Sequence, residues 1–327
     1  MAVHVGTSGW SYPSGRGTWN GVFYPSRRPR GFDELAYYAE RFDTVEVNST
    51  FYRPPEPDAT LKWLRRTPPS FGFSVKLYQK FTHPDMYLER HGTTGWNVTR
   101  GDLDLFRAGI DPVAAAGRLY ALLLQFPSSF HADPDTRGYL DWLLAALTDY
   151  PLAVELRHRS WSEDAADTRV FLQDRGAAWV LIDEPKFATS IRQDLHGTTT
   201  RLASHVAPER AERSAAPPLC YFRLHGRNAS QWWDHDDADD RYDYLYSPTE
   251  LAPFAEAAQQ AASQGAGRVL MYLNNHFSAK AVANAAVLRH QLGDLVPGDY
   301  PREMVHRYPE LAGVVTTSGL PLSDSRS

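Results

Sequence analysis

Short runs of aliphatic and β-branched residues alternate with helix-forming stretches along almost the whole chain, and this alternation limits the possible folds most. Strands are predicted over residues 3–8, 44–50, 72–78, 119–126, 152–158, 178–183, 220–227 and 268–275. Helices are predicted between them, over residues 33–42, 59–66, 103–116, 134–147, 164–174, 248–263 and 279–291. Strands that alternate with helices pair in parallel through right-handed crossovers. Eight such units in one chain predict an α/β protein with a single (β/α)8 barrel of the TIM type.

The predicted strands become polar on one face toward their C-terminal ends. Val45, Val47 and Leu156 lie on the face expected to meet the helices, whereas Glu46 and Arg223 lie on the opposite face. A buried parallel strand is normally apolar on both faces. Because TIM barrels keep their chemistry at the C-terminal mouth, the pattern predicts a polar pocket there, framed by long loops. Aromatic residues predicted at its rim are Trp10, Tyr12, Phe51, Tyr52, Trp96, Trp161, Trp232, Trp233 and Phe277.

The domain organisation predicted from these patterns is one barrel over residues 1–292. A segment near residues 186–218 lacks clear periodicity and is interpreted as an insertion. Residues 228–247 form a loop rich in Asp and aromatic residues, and residues 293–327 form a C-terminal extension. This extension is expected to pack loosely and to be partly frayed.

Composition narrows the classes of partner. A net charge of -5 and a pI near 6.2 argue against a nucleic-acid-binding protein, which is normally basic. The single cysteine, Cys220, excludes an internal disulfide and is typical of a reducing compartment. With no signal-peptide pattern and no apolar run long enough to span a bilayer, we expect a cytoplasmic protein without a membrane partner. No phosphate-binding or dinucleotide-binding glycine motif is present, so no cofactor is predicted. The oligomeric state is left open.

Two predicted strand exits combine a carboxylate with a second polar group. Glu46 and Asn48 share one face of the second strand, and Glu155 and Arg157 share one face of the fifth. A carboxylate aimed into a pocket can serve acid–base catalysis, and an arginine can grip phosphate through two parallel hydrogen bonds. The structural alternative is a ring of buried ion pairs, because buried charges must be paired. The flanking rim candidates are Tyr52, His158 and Trp161.

The seventh predicted strand ends in three basic residues of one face, Arg223, His225 and Arg227, with Gly226 among them. Two guanidinium groups and an imidazole at a barrel mouth predict an anion-binding site, since the loops after the last strands often bind phosphate in this fold. Weaker candidates at other strand exits are Lys76, Gln125, Asp183, Asn274 and Asn275.

The motifs at these strand exits, taken together, resemble those of the YecE-like family, catalogued as domain of unknown function 72. The matching segments are GTSGW at 6–10, FYP at 23–25, TVEVNSTFY at 44–52, FSVK at 73–76, LQFP at 124–127, VELRHRSW at 154–161, YFRLHGR at 221–227 and NNH at 274–276. They run in the family's order over nearly the whole chain. The resemblance implies a TIM-type barrel and assigns no activity and no catalytic residue.

Three functions fit these residues. The favoured prediction is an enzyme acting on a small anionic, hydroxyl-bearing metabolite, such as a phosphorylated sugar or a nucleotide-like compound. The arginines named above would hold the anion, Glu46 or Glu155 would act as acid or base, and His225 would share proton transfer. This prediction includes no metal. The first alternative is a hydrolase or isomerase with a divalent metal held by Glu46, Glu155, Asp183 and His225. The second is a non-catalytic metabolite-binding or sensor protein.

Overall fold

Parallel strands separated by helices build the core of the computed structural model, which describes residues 3–92, 98–195, 218–232 and 239–317. The core strands are β1 Val3–Thr7, β2 Thr44–Val47, β3 Gly72–Lys76, β4 Leu119–Gln125, β5 Leu152–Glu155, β6 Ala177–Trp179, β7 Leu181–Asp183, β8 Leu219–Leu224 and β9 Arg268–Leu273. Most predicted strands are confirmed, but several end earlier than expected. The second strand ends at Val47 because the chain turns into a short 3₁₀ helix over Ser49–Phe51.

These strands form two parallel sheets rather than one closed eight-stranded sheet. One sheet has the order β2-β3-β4-β5-β6 and the other the order β1-β9-β8-β7. An isolated parallel bridge between Ser8 and Glu46 connects β1 with β2. On the other side β6 and β7 are separated only by Val180, whose N–H donates to the carbonyl of Val154 at 2.9 Å. The α/β class with parallel pairing is thus confirmed, and the C-terminal ends of both sheets lie together.

The predicted helices are present with small changes of boundary. They are α1 Glu34–Ala39, α2 Pro57–Arg65, α3 Gln79–Thr82, α4 Pro84–His91, α5 Arg100–Ala115, α6 Pro134–Ala146, α7 Ser160–Glu163, α8 Ala165–Gln173, α9 Pro248–Ser263, α10 Lys280–Gln291 and α11 Arg302–Arg307. The sequence patterns did not predict α3, α4, α7 and α11, which are short. Helix α4 buries no residue, so it lacks the apolar periodicity by which a helix is recognised.

Side-chain caps fix where the main helices begin. The carboxylate of Asp33 accepts the N–H groups of Leu35 and Ala36 at the start of α1. Asp133 and Ser247 form capping boxes at the starts of α6 and α9, each followed by a proline in the first turn. Such caps satisfy backbone N–H groups that have no partner within the helix.

Apolar and polar residues alternate on the strands as predicted, yet both faces are buried. Val45 and Val47 of β2 are fully buried among apolar neighbours, and Glu46 between them is also fully buried. Gly6 of β1 allows the close approach of β2, because a Cβ atom there would lie 2.4 Å from the carbonyl oxygen of Thr44. The polar face therefore lies inside the fold, where each polar group needs a partner.

The remaining segments partly cover this core. Of the insertion-like segment, residues 196–217 lie outside the described part, as do residues 233–238 of the aromatic loop and residues 318–327. The predicted rim residues Trp96 and Trp233 also fall outside it. The described C-terminal extension includes the short strands β10 Asp299–Tyr300 and β11 Thr316–Thr317, and it buries Tyr300, Met304 and Leu311 completely. None of the helices in the described ranges is both long and apolar enough to cross a lipid bilayer.

Candidate functional site

A polar cavity of about 620 Å³ opens where the core strands end. One side chain at or just beyond the C-terminal end of nearly every core strand lines it: Asn48, Lys76, Gln125, Arg157, Glu184, Arg223 and Asn274. Parallel strands bring their carboxyl ends to one edge, which explains how residues so distant in sequence converge. A cavity with charged groups and amides on its floor therefore lies where the site was predicted.

At the floor of the cavity, one arginine lies between two glutamates and forms ion pairs with both. Arg223 donates from Nε and Nη2 to the two carboxylate oxygens of Glu46, at 2.9 and 2.7 Å. Its Nη1 donates to Glu155 Oε2 at 2.5 Å and to Gln125 at 3.3 Å. Glu46 also accepts from the hydroxyls of Ser8 and Tyr221, both at 2.7 Å. Glu46 and Glu155 are fully buried, so neither carboxylate presents surface to a ligand.

Glu155 is kept ionised by its neighbours. Burial by itself raises the pKa of this carboxyl, but the positive charges of Arg223 and Arg157, with the imidazole of His225, hold the pKa well below its usual range. Arg157 donates from Nε to Glu155 at 2.7 Å. Arg157 and Glu155, which share one strand face, thus form an ion pair that continues the charge network of the floor.

His225 adjoins this network and is neutral. Desolvation lowers the pKa of its imidazole to about 3, and the nearby Arg223 and Arg157 oppose protonation further. Its Nδ1 is 2.9 Å from the amide nitrogen of Asn274, which can only donate. Its Nε2 lies 3.5 Å from Glu155 and 3.4 Å from Arg157 Nη2. His225 is fully buried and contacts the cavity residues Arg157 and Asn274.

Arg157 and Lys76 present their positive charges to the cavity. The side chain of Arg157 is 17% exposed, against 1% for Arg223, and its Nη atoms make only long contacts, 3.6 Å to Glu184 and 3.4 Å to His225. Lys76 lies with Nζ 3.9 Å from the ring centroid of Phe51 and, among the described residues, forms no hydrogen bond or ion pair. Desolvation, with repulsion from Arg223, lowers the pKa of Lys76 to about 7.

Glu184 supplies the carboxyl group that faces the cavity. It follows β7, and burial raises the pKa of this carboxyl. Its Oε2 has no hydrogen-bond partner in the described part of the chain. The sequence analysis selected its neighbour Asp183 instead. Asp183 was selected because it stands at the predicted strand exit, but in the structure it binds Arg227, and the next residue, Glu184, lines the cavity.

Aromatic rings and an imidazole line another part of the cavity. The rings of Tyr12 and His276 stack at 4.3 Å, and Tyr242 lies 4.9 Å from His276 on the other side. Asp239, from the aromatic loop, contacts His276 Nε2 at 3.3 Å. The other described phenylalanine, tyrosine and tryptophan residues in the lining are Phe51, Tyr52, Phe187 and Trp232. Composition indicated an aromatic rim, but only the folded loop brings Asp239 and Tyr242 to it.

His83 is a lining residue that the sequence analysis did not select. It follows α3, and desolvation together with the charge of Lys76 lowers its pKa to about 3. The ring of His83 packs edge-on against the ring of Phe51, with 4.9 Å between the two centroids. Lys76 Nζ contacts the same phenylalanine ring. The pair Thr82-His83, shortly after the FSVK motif, is the sequence signal that could have identified it.

Besides the buried Glu46, Glu155 and His225, five predicted site residues do not line the cavity. Asp183 binds Arg227 through both carboxylate oxygens, at 2.8 and 3.0 Å, and this pair lies toward α9, where Glu250 is 3.3 Å from Arg227. His158 stacks on His131. The remaining two are Trp161, which donates to the carbonyl of Phe130, and Asn275, which donates to Asn284.

The carboxylates and imidazole proposed as metal ligands do not converge. Glu46 and Glu155 both bind Arg223, and Asp183 binds Arg227. Across the four described ranges, no group of three or more His, Cys, Asp or Glu side chains is arranged to hold a metal ion. The described carboxylates of the floor thus form ion pairs with arginines.

Comparison with other sequences identifies relatives over most of the chain. The profile of a family described as "Protein of unknown function DUF72" matches residues 4–304. The UPF0759 protein YunF of Bacillus subtilis (strain 168) is 24% identical over 308 residues, which are 92% of this chain and 99% of YunF. The UPF0759 protein YecE of Escherichia coli (strain K12) is 25% identical over 186 residues, 55% of this chain and 59% of YecE.

Two similar crystal structures share the fold. A DUF72 family protein from Thermotoga maritima MSB8 is 32% identical, with a TM-score of 0.69, and the match covers 90% of this chain and 100% of that chain. A DUF72 family protein from Enterococcus faecalis V583 is 23% identical, with a TM-score of 0.71, over 89% of this chain and 96% of that chain. Neither name states an activity.

Proposed function

Since the chain belongs to the family described as a protein of unknown function, DUF72, which confirms the resemblance carried by its motifs, we propose a function from the cavity itself. The protein is an enzyme that acts on a small anionic, hydroxyl-bearing molecule, such as a phosphorylated sugar or a nucleotide-like compound, by acid–base chemistry. The observation that carries this proposal is the juxtaposition of Arg157 and Lys76, whose donors face the cavity, with amides at neighbouring strand ends.

Arg157 is the proposed anion-binding residue. Its Nε is fixed by Glu155, so the planar guanidinium is held in place while its Nη atoms remain for a phosphate or carboxylate. Asn48, Gln125 and Asn274 offer amide groups that bind hydroxyls. Because Arg223 is bound on both sides by glutamates, it supports this arrangement and contributes little free donor capacity.

Lys76 and Glu184 are the proposed acid–base groups. Lys76 has a pKa of about 7, and the pKa of Glu184 is raised by burial. Groups that titrate near the working pH are the effective proton donors and acceptors. The earlier candidates Glu46, Glu155 and His225 are assigned a positioning role, since each is fully buried and reaches a substrate only through the arginines.

We also propose that the two sheets together form the single (β/α)8 barrel expected from the sequence. The Ser8–Glu46 bridge and the bond from Gly9 N–H to the carbonyl of Glu46 at 2.8 Å support closure between β1 and β2. The near-continuous course of the chain through Val180 supports closure on the other side. A cavity at the C-terminal ends of the strands is the usual place of a barrel's active site.

The anion proposal is tested by thermal unfolding with glycerol 3-phosphate, with glycerol as the uncharged control. A ligand that binds the folded state alone adds about 2.7 kcal/mol at one hundred times its Kd. We expect glycerol 3-phosphate to raise the Tm and glycerol to have no effect. Arg157→Lys keeps the charge but loses the planar donor pair, so the rise should shrink.

The matched control is Arg227→Lys, whose pair with Asp183 lies outside the cavity. It should leave the response to glycerol 3-phosphate unchanged. An equal loss in both variants, or no response of the parent protein to any anion, would refute the assigned site. Stabilisation without turnover of any phosphorylated substrate would favour the non-catalytic sensor function instead.

A further inference from the structure

The lysines of this chain differ sharply in what their ammonium groups contact. Lys80 binds Asp102 at 2.7 Å, and Lys280 forms an ion pair with Asp243. Lys186 donates to the carbonyl of Ile182 at 3.4 Å, and Lys62 lies on the exposed side of α2. Lys76 alone combines a position in the cavity with the absence, among the described residues, of a hydrogen bond or ion pair.

The surroundings of Lys76 favour the neutral amine over the ammonium ion. The side chain is partly buried at the end of β3, and Arg223 and Arg157 add positive charge to the same cavity. The face of Phe51 supplies the contact that holds Nζ in place. A desolvated lysine beside other cations is the usual form of a nucleophilic amine in carbonyl chemistry, because only the unprotonated nitrogen has a lone pair to donate.

We infer that Lys76 forms an imine with the aldehyde or ketone carbon of the ligand that Arg157 holds by its anionic group. This inference rests on the proposed function and deepens it: Lys76 acts as the nucleophile, and Glu184 remains as the acid–base group. The substrate class becomes a small phosphorylated or carboxylated hydroxy-aldehyde or hydroxy-ketone, with the hydroxyls bound by the amides at the strand ends.

The covalent step balances without a further reactant. The Nζ lone pair forms a bond to the carbonyl carbon, and the carbonyl oxygen accepts a proton to give a carbinolamine. That oxygen then leaves as water, so that it carries away both hydrogens of the amine as the C=N bond forms. The neutral imine takes up one proton from water at its nitrogen, and the resulting iminium ion draws electrons from the adjacent carbon and thereby favours proton removal or carbon–carbon cleavage there.

The test is reductive trapping with D-glyceraldehyde 3-phosphate and sodium cyanoborohydride at neutral pH, followed by peptide mass spectrometry. The reductant converts an imine into a stable secondary amine at the lysine that formed it. We expect labelling of Lys76 to exceed that of the exposed Lys62 at least tenfold. Unphosphorylated glyceraldehyde should label Lys76 less, because it lacks the group that Arg157 holds.

Two variants make the result specific. Lys76→Met removes the amine without leaving an ion-pair partner unsatisfied, so it should fold and lose the dominant label. Lys62→Met should keep it. Labelling spread evenly over the lysines of the parent protein would overturn the imine proposal, as would a dominant label that survives in Lys76→Met.

Glycerol 3-phosphate separates this proposal from the one on which it rests, because it carries the anion but no carbonyl. Stabilisation by glycerol 3-phosphate without labelling of Lys76 would reject the imine and keep the anion site. If neither occurs, both proposals are wrong. Dominant labelling of Lys76 together with stabilisation by glycerol 3-phosphate supports both.

Discussion

The guanidinium of Arg223 binds both carboxylate oxygens of Glu46, and this pair connects β8 of one sheet with β2 of the other. Both side chains are almost completely removed from water. Two charges in such a place are stable only together, since desolvating either alone is costly. The pair therefore ties the two sheets at the cavity floor and fixes the arginine.

Glu46→Gln tests the strength of this connection. The change leaves a buried guanidinium with one charged partner instead of two, so we expect the free energy of unfolding to fall by about 3–5 kcal/mol. Denaturant melts measure this change. Glu184→Gln is the matched control, because Glu184 Oε2 has no hydrogen-bond partner in the described part and burial raises the pKa of this carboxyl. This variant should leave the free energy of unfolding nearly unchanged. Equal effects of the two variants would contradict the assigned role of Glu46.

Acid should destabilise the protein through its buried histidines. The folded-state pKa values of His225 and His83 are both lowered to about 3 from 6.5, so the unfolded chain binds more protons between these values. Stability is complete above about pH 6.5 and is lost as the pH falls toward 3, by up to about 1.4 kcal/mol per pH unit for each histidine.

His83→Gln should reduce this slope, whereas the exposed His306→Gln should not change it. The measurement is the free energy of unfolding from denaturant melts at a series of pH values. A slope that is the same in the parent protein and in His83→Gln would show that His83 is not held neutral by the fold.

Lys76→Met should stabilise the protein at neutral pH. It removes an amine that has no hydrogen-bond partner among the described residues, and we expect a gain of roughly 1–3 kcal/mol. The folded-state pKa of about 7 lies below the ordinary lysine pKa of 10.5, so the stability of the parent should also rise with pH between these values. The groups that act on this amine across the cavity are Arg223, Arg157, Glu155, Glu46 and His83.

In Lys76→Met the rise with pH should be lost, and in Lys62→Met both the stability and its pH dependence should match those of the parent. The measurement is again the free energy of unfolding, from neutral to alkaline pH. Destabilisation by Lys76→Met would indicate that the ammonium has a favourable partner in the fold.

Gly6→Ala tests the contact between β1 and β2 on which barrel closure depends. The added methyl would lie 2.4 Å from the carbonyl oxygen of Thr44, so one strand must move, with an expected loss of about 1–3 kcal/mol. Gly138→Ala in α6 is the matched control, since nothing lies within 4 Å of the new atom. It should stabilise the protein by about 0.5–1 kcal/mol, because alanine is the better helix former. Thermal melts of both variants measure the two effects.

The sequence by itself determined the class of fold and the end of the strands at which the site lies. Alternation of short apolar runs with helical segments requires parallel strands, and parallel strands bring Glu46, Glu155 and Arg223 to one end whatever their details. Local signals such as Asp33 and Ser247 also fixed helix starts, since a cap acts within a few residues.

Only the tertiary structure decided which of the polar groups face the cavity. Period two specifies the two sides of a strand, but it does not specify what fills the space beyond its end. There Arg227 binds Asp183, and Glu184 lines the cavity where Asp183 was expected. Glu46 is fully buried, where it binds Arg223. Lys76 was only a minor candidate from the sequence, because what distinguishes it is that its amine has no hydrogen-bond or ion-pair partner among the described residues. A missing partner is a property of the three-dimensional neighbourhood, which sequence spacing does not encode.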